Sequence, residues 1–472
     1  MGLRPRCCSY GFPASYREES HAEFGTFQIS MGVVRNVTNR ILAASIVADL
    51  RARGFSTWLV GGCVRDLLLG REPKDFDVAT SATPDELLRL YPNAGKVGAH
   101  FGVVLVHEGD AHVEVATFRS DLDYTDGRRP DAVRFETSPE QDVLRRDFTI
   151  NALLLDPETG AVLDYVGGRA DLDARVIRAI GDPVRRFEED HLRLLRAVRF
   201  AARLKFTIES ATFSAMQRLA PAIRNISIER VRDEISRILT EGGARYGFEL
   251  LDASGLLREI LPEVAALQGV EQPPEFHPEG DVWTHTLIML EGLHEPSVDL
   301  ALGVLLHDIG KPATFRVADR IRFDGHVEKG VEIAHGLLNR LRFPQAVIEQ
   351  VEALIANHMR FKDVPNMRES KVKRFLRMPQ FDEHLELHRL DCLSSHGNLD
   401  NYEFVRTKQN EVPPEELRPV PLVTGHDLIA AGCRPGPAFG AALREAEDAQ
   451  LEGRVSTKEE ALELALRNFR EP

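Results

Sequence analysis

From Val33 to Gly54 apolar residues recur at helical spacing. Ile41, Leu42, Ile46, Val47 and Leu50 fall on one face and Gly54 supplies a stop, which predicts an amphipathic helix. The short apolar run Thr57–Val60 ends in Gly61–Gly62 and reads as a strand; Asp75–Ala79, Val103–Val106 and Val113–Phe118 read as three more. Strands alternating with helices predict an α/β domain to about residue 180. Beyond Asp182–Pro183 the strand pattern stops. Helical stretches follow, broken at Pro221, Pro262, Pro273–Pro274, Pro344 and Pro413–Pro414, so the remainder is expected to be mostly α. Residues 1–30 hold no sustained period, and Met31 offers a second translation start. The organisation expected is an extension over 1–31, an α/β head over 32–180, a helical neck over 181–262, a helical body over 263–400 and a helical tail over 401–472.

Composition narrows the class. A length of 472 residues suggests about three domains. Hydrophobic residues make up 43% and charged residues 28%, which excludes wholesale disorder and a fibrous chain. No stretch approaches about 18 uncharged apolar residues, so no membrane helix is expected, and Cys7–Ser30 holds no apolar run of the signal-peptide kind. The five cysteines form no CxxC pair, which fits a reducing cytosol and a cytoplasmic location. Net charge is −14, which speaks against a uniformly basic surface but leaves local patches open.

Candidate chemistry concentrates in four blocks. Gly61-Gly62-Cys63-Val64-Arg65-Asp66 lies between a strand and a helix start, where glycines admit close backbone approach and free N–H groups favour a triphosphate. Arg65 adds a fork of donors. Asp75-Phe76-Asp77 follows; on a strand, residues two apart share a face, so both carboxylates converge while Phe76 turns inward. Such a pair suits Mg²⁺, with two ions about 4 Å apart, and Glu114 on a neighbouring strand is the candidate third carboxylate. Arg145-Arg146-Asp147 with Asn151 reads as a site for ribose and phosphate. In the fourth block Asp190, Arg193, Arg196 and Arg199 recur every three residues, forming a helical stripe opposite Leu192, Leu195, Val198 and Phe200. An aspartate accepts from an amino group and an arginine donates to ring nitrogen or carbonyl, so Asp190 and Arg193 could select C and A over G and U. Residues 185–205 carry net charge +4, a basic patch suited to RNA and triphosphate.

GGxVRD, DxD, RRDFTxNA and EDxxRxxRxxR in this order resemble the class II tRNA nucleotidyltransferase and bacterial poly(A) polymerase family. Asp164-Tyr165-Val166-Gly167-Gly168 with Asp171-Leu172 resembles that family's head-to-neck segment. The resemblance implies a polymerase-β-like α/β head with a mixed sheet, followed by an all-α neck, body and tail. It implies triphosphate contacts from Gly62, Arg65 and Arg146 and Mg²⁺ on Asp75 and Asp77; Gly61, Asp147 and Asn151 are expected to bind the nucleotide beside them. It implies nucleotide contacts from Asp190, Arg193, Arg196 and Arg199, with Asp190 and Arg193 serving as a protein template. The activity implied is attack of a tRNA 3′-hydroxyl on CTP or ATP, with a bacterial poly(A) polymerase as the rival. Gly95–Gly102 lacks the adjacent basic pair expected of poly(A) polymerases, which favours CCA addition.

A second constellation spans 277–400. His285, the doublet His307-Asp308 and Asp391 resemble the H…HD…D ligand order of HD phosphohydrolases, with His326 and His358 as candidates for a second ion. Imidazole mixed with carboxylate suits a transition metal. The resemblance implies an HD body that acts on phosphates or cyclic phosphates at RNA ends, or persists as a scaffold. Residues 401–472 carry net charge −4. The tail resembles tails of the transferase family, implying tRNA contact by shape rather than bulk charge, or a dimer interface. Motif content sets no oligomeric state.

Overall fold

The computed structural model of the chain describes residues 24–96, 102–122, 132–275 and 277–470. Most of the expected 1–31 extension, and residues 97–101 of the Gly95–Gly102 segment, lie outside them. The chain divides into two compact units, one formed by residues up to Leu122 together with Ala132–Leu172, the other by Asp173 onward.

In the first unit the amphipathic segment forms α1 (Phe24–Ala52). Leu42, Ile46, Val47 and Leu50 are buried, as their spacing requires, but Ile41 is 64% exposed and falls off that face. A seven-stranded sheet follows in the order β3-β4-β5-β2-β1-β8-β9. Its strands are β1 (Thr57–Val60), β2 (Asp77–Thr80), β3 (Gly95–Lys96), β4 (Val103–Glu108), β5 (Ala111–Thr117), β8 (Leu154–Leu155) and β9 (Val162–Leu163). The sheet is mixed: β2 and β5 run parallel, and the other neighbours run antiparallel. Between its strands lie α2 (Gly62–Leu68), α3 (Pro84–Leu90), a hairpin of β6 (Arg119–Leu122) and β7 (Ala132–Phe135), and α4 (Pro139–Leu144). A one-turn 3₁₀ segment covers Thr149–Asn151, and α5 is Gly168–Ala174. The β2 and β5 alternation puts Val78, Val113 and Val115 into the core at 0–1% exposure.

The second unit is helical, with two exceptions to the expected end of the strands. β10 (Val176–Ile177) pairs in parallel with β11 (Thr207–Ile208), and β12 (Arg316–Val317) pairs with β13 (Ile321–Arg322). Two-residue strands carry no readable period. Its first helices are α6 (Pro183–Glu189), α7 (Leu192–Leu204), α8 (Ser210–Leu219), α9 (Ile228–Thr240), α10 (Ala244–Ala253), α11 (Leu256–Ile260) and α12 (Pro262–Ala265). Next come α13 (Val282–Glu291), α14 (Val298–Leu306), α15 (Lys311–Thr314), α16 (His326–Arg340), α17 (Gln345–Asn357), α18 (Glu369–Leu376) and α19 (Phe381–Ser394). α14 is apolar all round because it packs against α9, α13, α17 and α19, so Leu300–Leu306 are all buried. The chain closes with α20 (Asp400–Glu411), α21 (Pro414–Leu417), α22 (Gly425–Ala430), α23 (Pro437–Leu451) and α24 (Lys458–Arg470); the last three share a small core of Leu428, Ala442, Ala446, Ala461 and Ala465. Among the described residues no helix is long and apolar enough to cross a membrane.

Candidate nucleotide-transfer site and a histidine-rich centre

Strand register assembles the head site. Val60, the last residue of β1, pairs with Asp77, the first of β2, and Asp77 pairs in parallel with Glu114 of β5. Partners on adjacent strands present side chains to the same face, so the Asp77 and Glu114 carboxylates meet. Asp75 is exposed and precedes β2, so its place beside Asp77 comes from the turn entering the strand rather than from strand alternation. Phe76 is buried as expected. Burial and then Glu114 push the Asp77 carboxyl up to about 6, with Asp75 adding to the rise and Arg146 opposing it. Three crowded carboxylates of this kind are hard oxygen donors short of positive charge, a fit for Mg²⁺.

Gly61 has φ 76, and a Cβ there would lie 3.5 Å from both Asp77 Oδ2 and Arg146 Nη1. The backbone turns into α2 at the point where a carboxylate and a guanidinium face each other. Arg65 is 2% exposed; its Nε donates to Asp66 Oδ1 (2.8 Å) and its Nη1 to Asn151 Oδ1 (2.7 Å). Asn151 Nδ2 donates in turn to Asp147 Oδ1 (3.3 Å), which also accepts the Phe148 N–H (2.8 Å). Arg65, Asp147 and Asn151 thus form an internal brace between α2 and the 3₁₀ turn. Arg146 is half-buried, and its Nη1 donates to the Asn151 carbonyl (3.3 Å). Asp142 on α4 holds both Arg145 and Arg146; although burial opposes it, the two guanidinium groups keep its carboxyl below the usual range.

In the neck the stripe is interrupted. α6 ends at Glu189 and α7 starts at Leu192, so Asp190 sits at the break with extended φ and ψ rather than on the helix. Its Oδ1 accepts the Leu192 N–H (3.0 Å) and its Oδ2 accepts from Arg230 Nη2 on α9 (2.8 Å). Arg193 donates to Glu189 (2.6 Å) and to the Arg186 carbonyl (2.8 Å). Arg196 is half-buried over the Phe200 ring. Arg199 is 5% exposed, with its Nε on Glu234 (2.7 Å) and its Nη1 near Glu241 (3.4 Å). Much of the +4 charge of this segment is therefore matched inside the unit by Glu234 and Glu241.

All six residues of the second constellation converge. His285 Nε2 lies 3.2 Å from Asp391 Oδ1 and His307 Nε2 lies 3.1 Å from Asp308 Oδ2, while His326 and His358 Nε2 approach Asp308 Oδ1 at 3.8 and 3.9 Å. The Nδ1 atoms of His307, His326 and His358 donate to the carbonyls of Val304, Phe323 and Ile355. Carbonyls only accept, so Nδ1 bears the proton in each ring and a lone pair available to a ligand falls on Nε2. Those Nε2 atoms and that of His285 are buried and turned toward the Asp308 and Asp391 carboxylates. Burial, with His307 beside it, pushes His358 down to about 4 and keeps it neutral. Two ligand groups result, His285/His307/Asp391 and Asp308/His326/His358, a donor set that fits transition metals. A Cβ on Gly310 would collide with the His326 carbonyl oxygen, so that glycine permits the approach of α16 to the doublet. Sequence reasoning missed Glu279, whose Oε1 accepts from Nδ1 of both His277 (2.9 Å) and His285 (2.7 Å), and Lys311, 2.6 Å from Asp308. Asp142 and Arg230 were missed as well. Asp142 had a readable cue, lying three and four residues before the arginine pair, a spacing at which one helical turn brings opposite charges together. Arg230 is 40 residues from Asp190 and had none.

Carboxylates paired across adjacent parallel strands of a mixed sheet, beside a Gly-Gly helix start, define a nucleotidyltransferase head, here on a chain that also carries a histidine-rich helical centre. Three sequence families match: the poly(A) polymerase head domain over residues 57–178, the probable RNA and SrmB-binding site of polymerase A over 205–267, and the HD domain over 281–395. The CCA-adding enzyme of Streptococcus pneumoniae serotype 19F is 30% identical over 432 residues, 90% of this chain and 96% of its own length. The CC-adding tRNA nucleotidyltransferase of Thermus thermophilus is 35% identical, covering 85% and 91%. The CCA-adding enzyme of Geobacillus kaustophilus is 44% identical over 225 residues; that match spans 48% of this chain and about half, 55%, of the relative. The crystal structure of the Bacillus stearothermophilus CCA-adding enzyme in complex with CTP superposes with a TM-score of 0.70 at 27% identity, covering 91% of this chain and 97% of that one. The chain belongs to the tRNA nucleotidyltransferase and poly(A) polymerase family, and it is a nucleotidyltransferase with an HD domain.

Proposed function

We propose that the chain adds CMP and AMP, from CTP and ATP, to the 3′ end of tRNA, without a nucleic-acid template and in the cytoplasm. The observation that carries this is the Asp77–Glu114 rung with Arg146 facing Asp77 across Gly61, a carboxylate pair beside a cation. In the reaction the 3′-hydroxyl gives up its proton to solvent, its oxygen bonds to the α-phosphorus, the bond to the bridging oxygen breaks, and diphosphate leaves. Asp75, Asp77 and Glu114 would hold Mg²⁺, which when bound favours the attacking alkoxide and offsets charge on the leaving diphosphate. Arg146 meets the phosphates, and Gly61–Gly62 let them approach the start of α2. No protein nucleophile is needed; positioning and electrostatics suffice. The names of the relatives favour tRNA as acceptor.

The test is incorporation by the purified chain on tRNA ending at the discriminator base, with CTP and ATP supplied separately and together. CMP, CMP and AMP added in that order supports the proposal. Arrest after two cytidines supports a CC-adding enzyme, and long tails from ATP alone on unstructured RNA support a poly(A) polymerase.

Base choice is assigned to Asp190 and Arg193. Asp190→Ala or Arg193→Ala should admit UTP or GTP while weakening triphosphate binding less; steady-state incorporation of each nucleotide checks this. Continued exclusion of both would refute the assignment.

A second reading is favoured by the four buried Nε2 atoms that converge on the carboxylates of Asp308 and Asp391: the HD body is a metal centre acting on phosphate esters at RNA ends or on nucleotides. His285, His307, Asp308 and Asp391 would hold one transition-metal ion, and His326 and His358 with Asp308 a second; bound metal would supply an activated water. The expected result is that the chain, dialysed against Ni²⁺ or Co²⁺, retains metal and that Asp308→Ala loses most of it, read by elemental analysis. Equal retention by both would refute it.

A further inference from the structure

Asp142 belongs to none of the motifs above, yet it is 1% exposed and bears on the head site. Its Oδ1 accepts from Arg145 Nε (3.0 Å) and Nη2 (2.6 Å), and its Oδ2 accepts from Arg146 Nε (3.2 Å) and Nη2 (2.9 Å). Oδ1 also accepts the Arg119 N–H (3.4 Å), and Arg145 Nε also donates to the Arg119 carbonyl (3.2 Å), so the group is tied to the start of β6. One carboxylate is thus gripped on each oxygen by a two-pronged guanidinium edge.

This arrangement has a directional consequence. A guanidinium is a rigid plane, and fixing its Nε and Nη2 edge fixes where Nη1 lies. In Arg146 that remaining nitrogen donates to the Asn151 carbonyl (3.3 Å) and is the atom beside Gly61, across from Asp77 Oδ2. An Arg146 with no such hold would be drawn onto the Asp77 carboxylate, neutralising a group the transfer site needs and withdrawing a cation from the phosphates. One carboxylate between two arginines also leaves a single net positive charge at this corner.

We propose that Asp142 is a positioning residue of the transfer site: it holds Arg146 in plane so that Nη1 meets the nucleotide phosphates instead of closing on Asp77. The proposal rests on the reading of Arg146 as a triphosphate contact. Because every nucleotide shares the triphosphate, loss of Asp142 should affect CTP and ATP alike and leave base choice intact, unlike substitution of Asp190.

The test is equilibrium binding of CTP and of ATP, with Mg²⁺, to the full chain without tRNA. An asparagine at 142 offers one acceptor oxygen where two forks need two. Asp142→Asn should weaken both nucleotides by about tenfold or more, and Asp142→Glu, which keeps the charge, should recover part of the loss. The double variant Asp142→Asn/Arg146→Gln should bind no worse than Arg146→Gln alone, since Asp142 acts through Arg146, whereas a merely structural role would add its own loss. Wild-type binding by a folded Asp142→Asn, with weakened binding by Arg146→Gln, overturns the positioning role. Wild-type binding by Arg146→Gln overturns the phosphate reading of Arg146 itself, and the proposal with it. Should Asp142→Asn fail to fold, Arg146→Lys decides, because it keeps the charge but has no edge for Asp142: binding as weak as Arg146→Gln supports the proposal, and wild-type binding refutes it.

Discussion

Asp77→Asn is expected to reduce CMP and AMP incorporation into tRNA ends by at least about 10³-fold, a loss of about 4 kcal/mol in transition-state stabilisation. The amide keeps the shape of the carboxylate, so the β1–β2–β5 pairing should survive. What disappears is the negative oxygen between Val60, Glu114 and Arg146. Melting should not fall, because burial and the Glu114 charge already disfavour ionised Asp77 in the head. Single-turnover incorporation and a thermal melt on the same preparation check both halves. Activity within tenfold of wild type would remove Asp77 from the chemistry.

The second large effect concerns Arg199. With Glu234 only 4% exposed and facing its guanidinium at 2.7 Å, Arg199→Met strands a buried carboxylate. The expected cost is about 3–5 kcal/mol of stability in the helical unit. Arg199→Met/Glu234→Leu removes both charges and should regain most of it, since well-packed apolar replacements for buried ion pairs are often neutral. Denaturant unfolding of wild type, single and double variants measures this. If the double variant is stable and still prefers CTP and ATP, Arg199 shapes the neck without touching the nucleotide; if it is stable but indiscriminate, Arg199 reads the base.

How much was legible follows the range of the interactions. The alternation around Val78 and Val113–Val115 marked two strands, and the type of residue at Glu114 pointed to the rung opposite Asp77. The strand boundary at Asp77 rather than Asp75 was not readable, because it depends on the pairing of Asp77 with Val60 and Glu114. The order His285, His307, Asp308, Asp391 was visible, but Glu279 behind His285 was not, since a carboxylate six residues upstream in a loop has no fixed direction. The three arginines do recur along α7, but a three-residue recurrence says nothing of the break that leaves Asp190 off the helix or of Glu234 on a helix later in the chain. Composition counted those arginines as free charge; packing had already matched two of them to acids.

The rung between Asp77 and Glu114 joins segments 37 residues apart and closes only when the parallel pair forms. Two like charges meet in that pairing, so a head folding without dications works against its own electrostatics. Neutralising Glu114 would make that metal-free head sturdier and silence it at once, placing robustness and turnover in opposition at a single pair of residues.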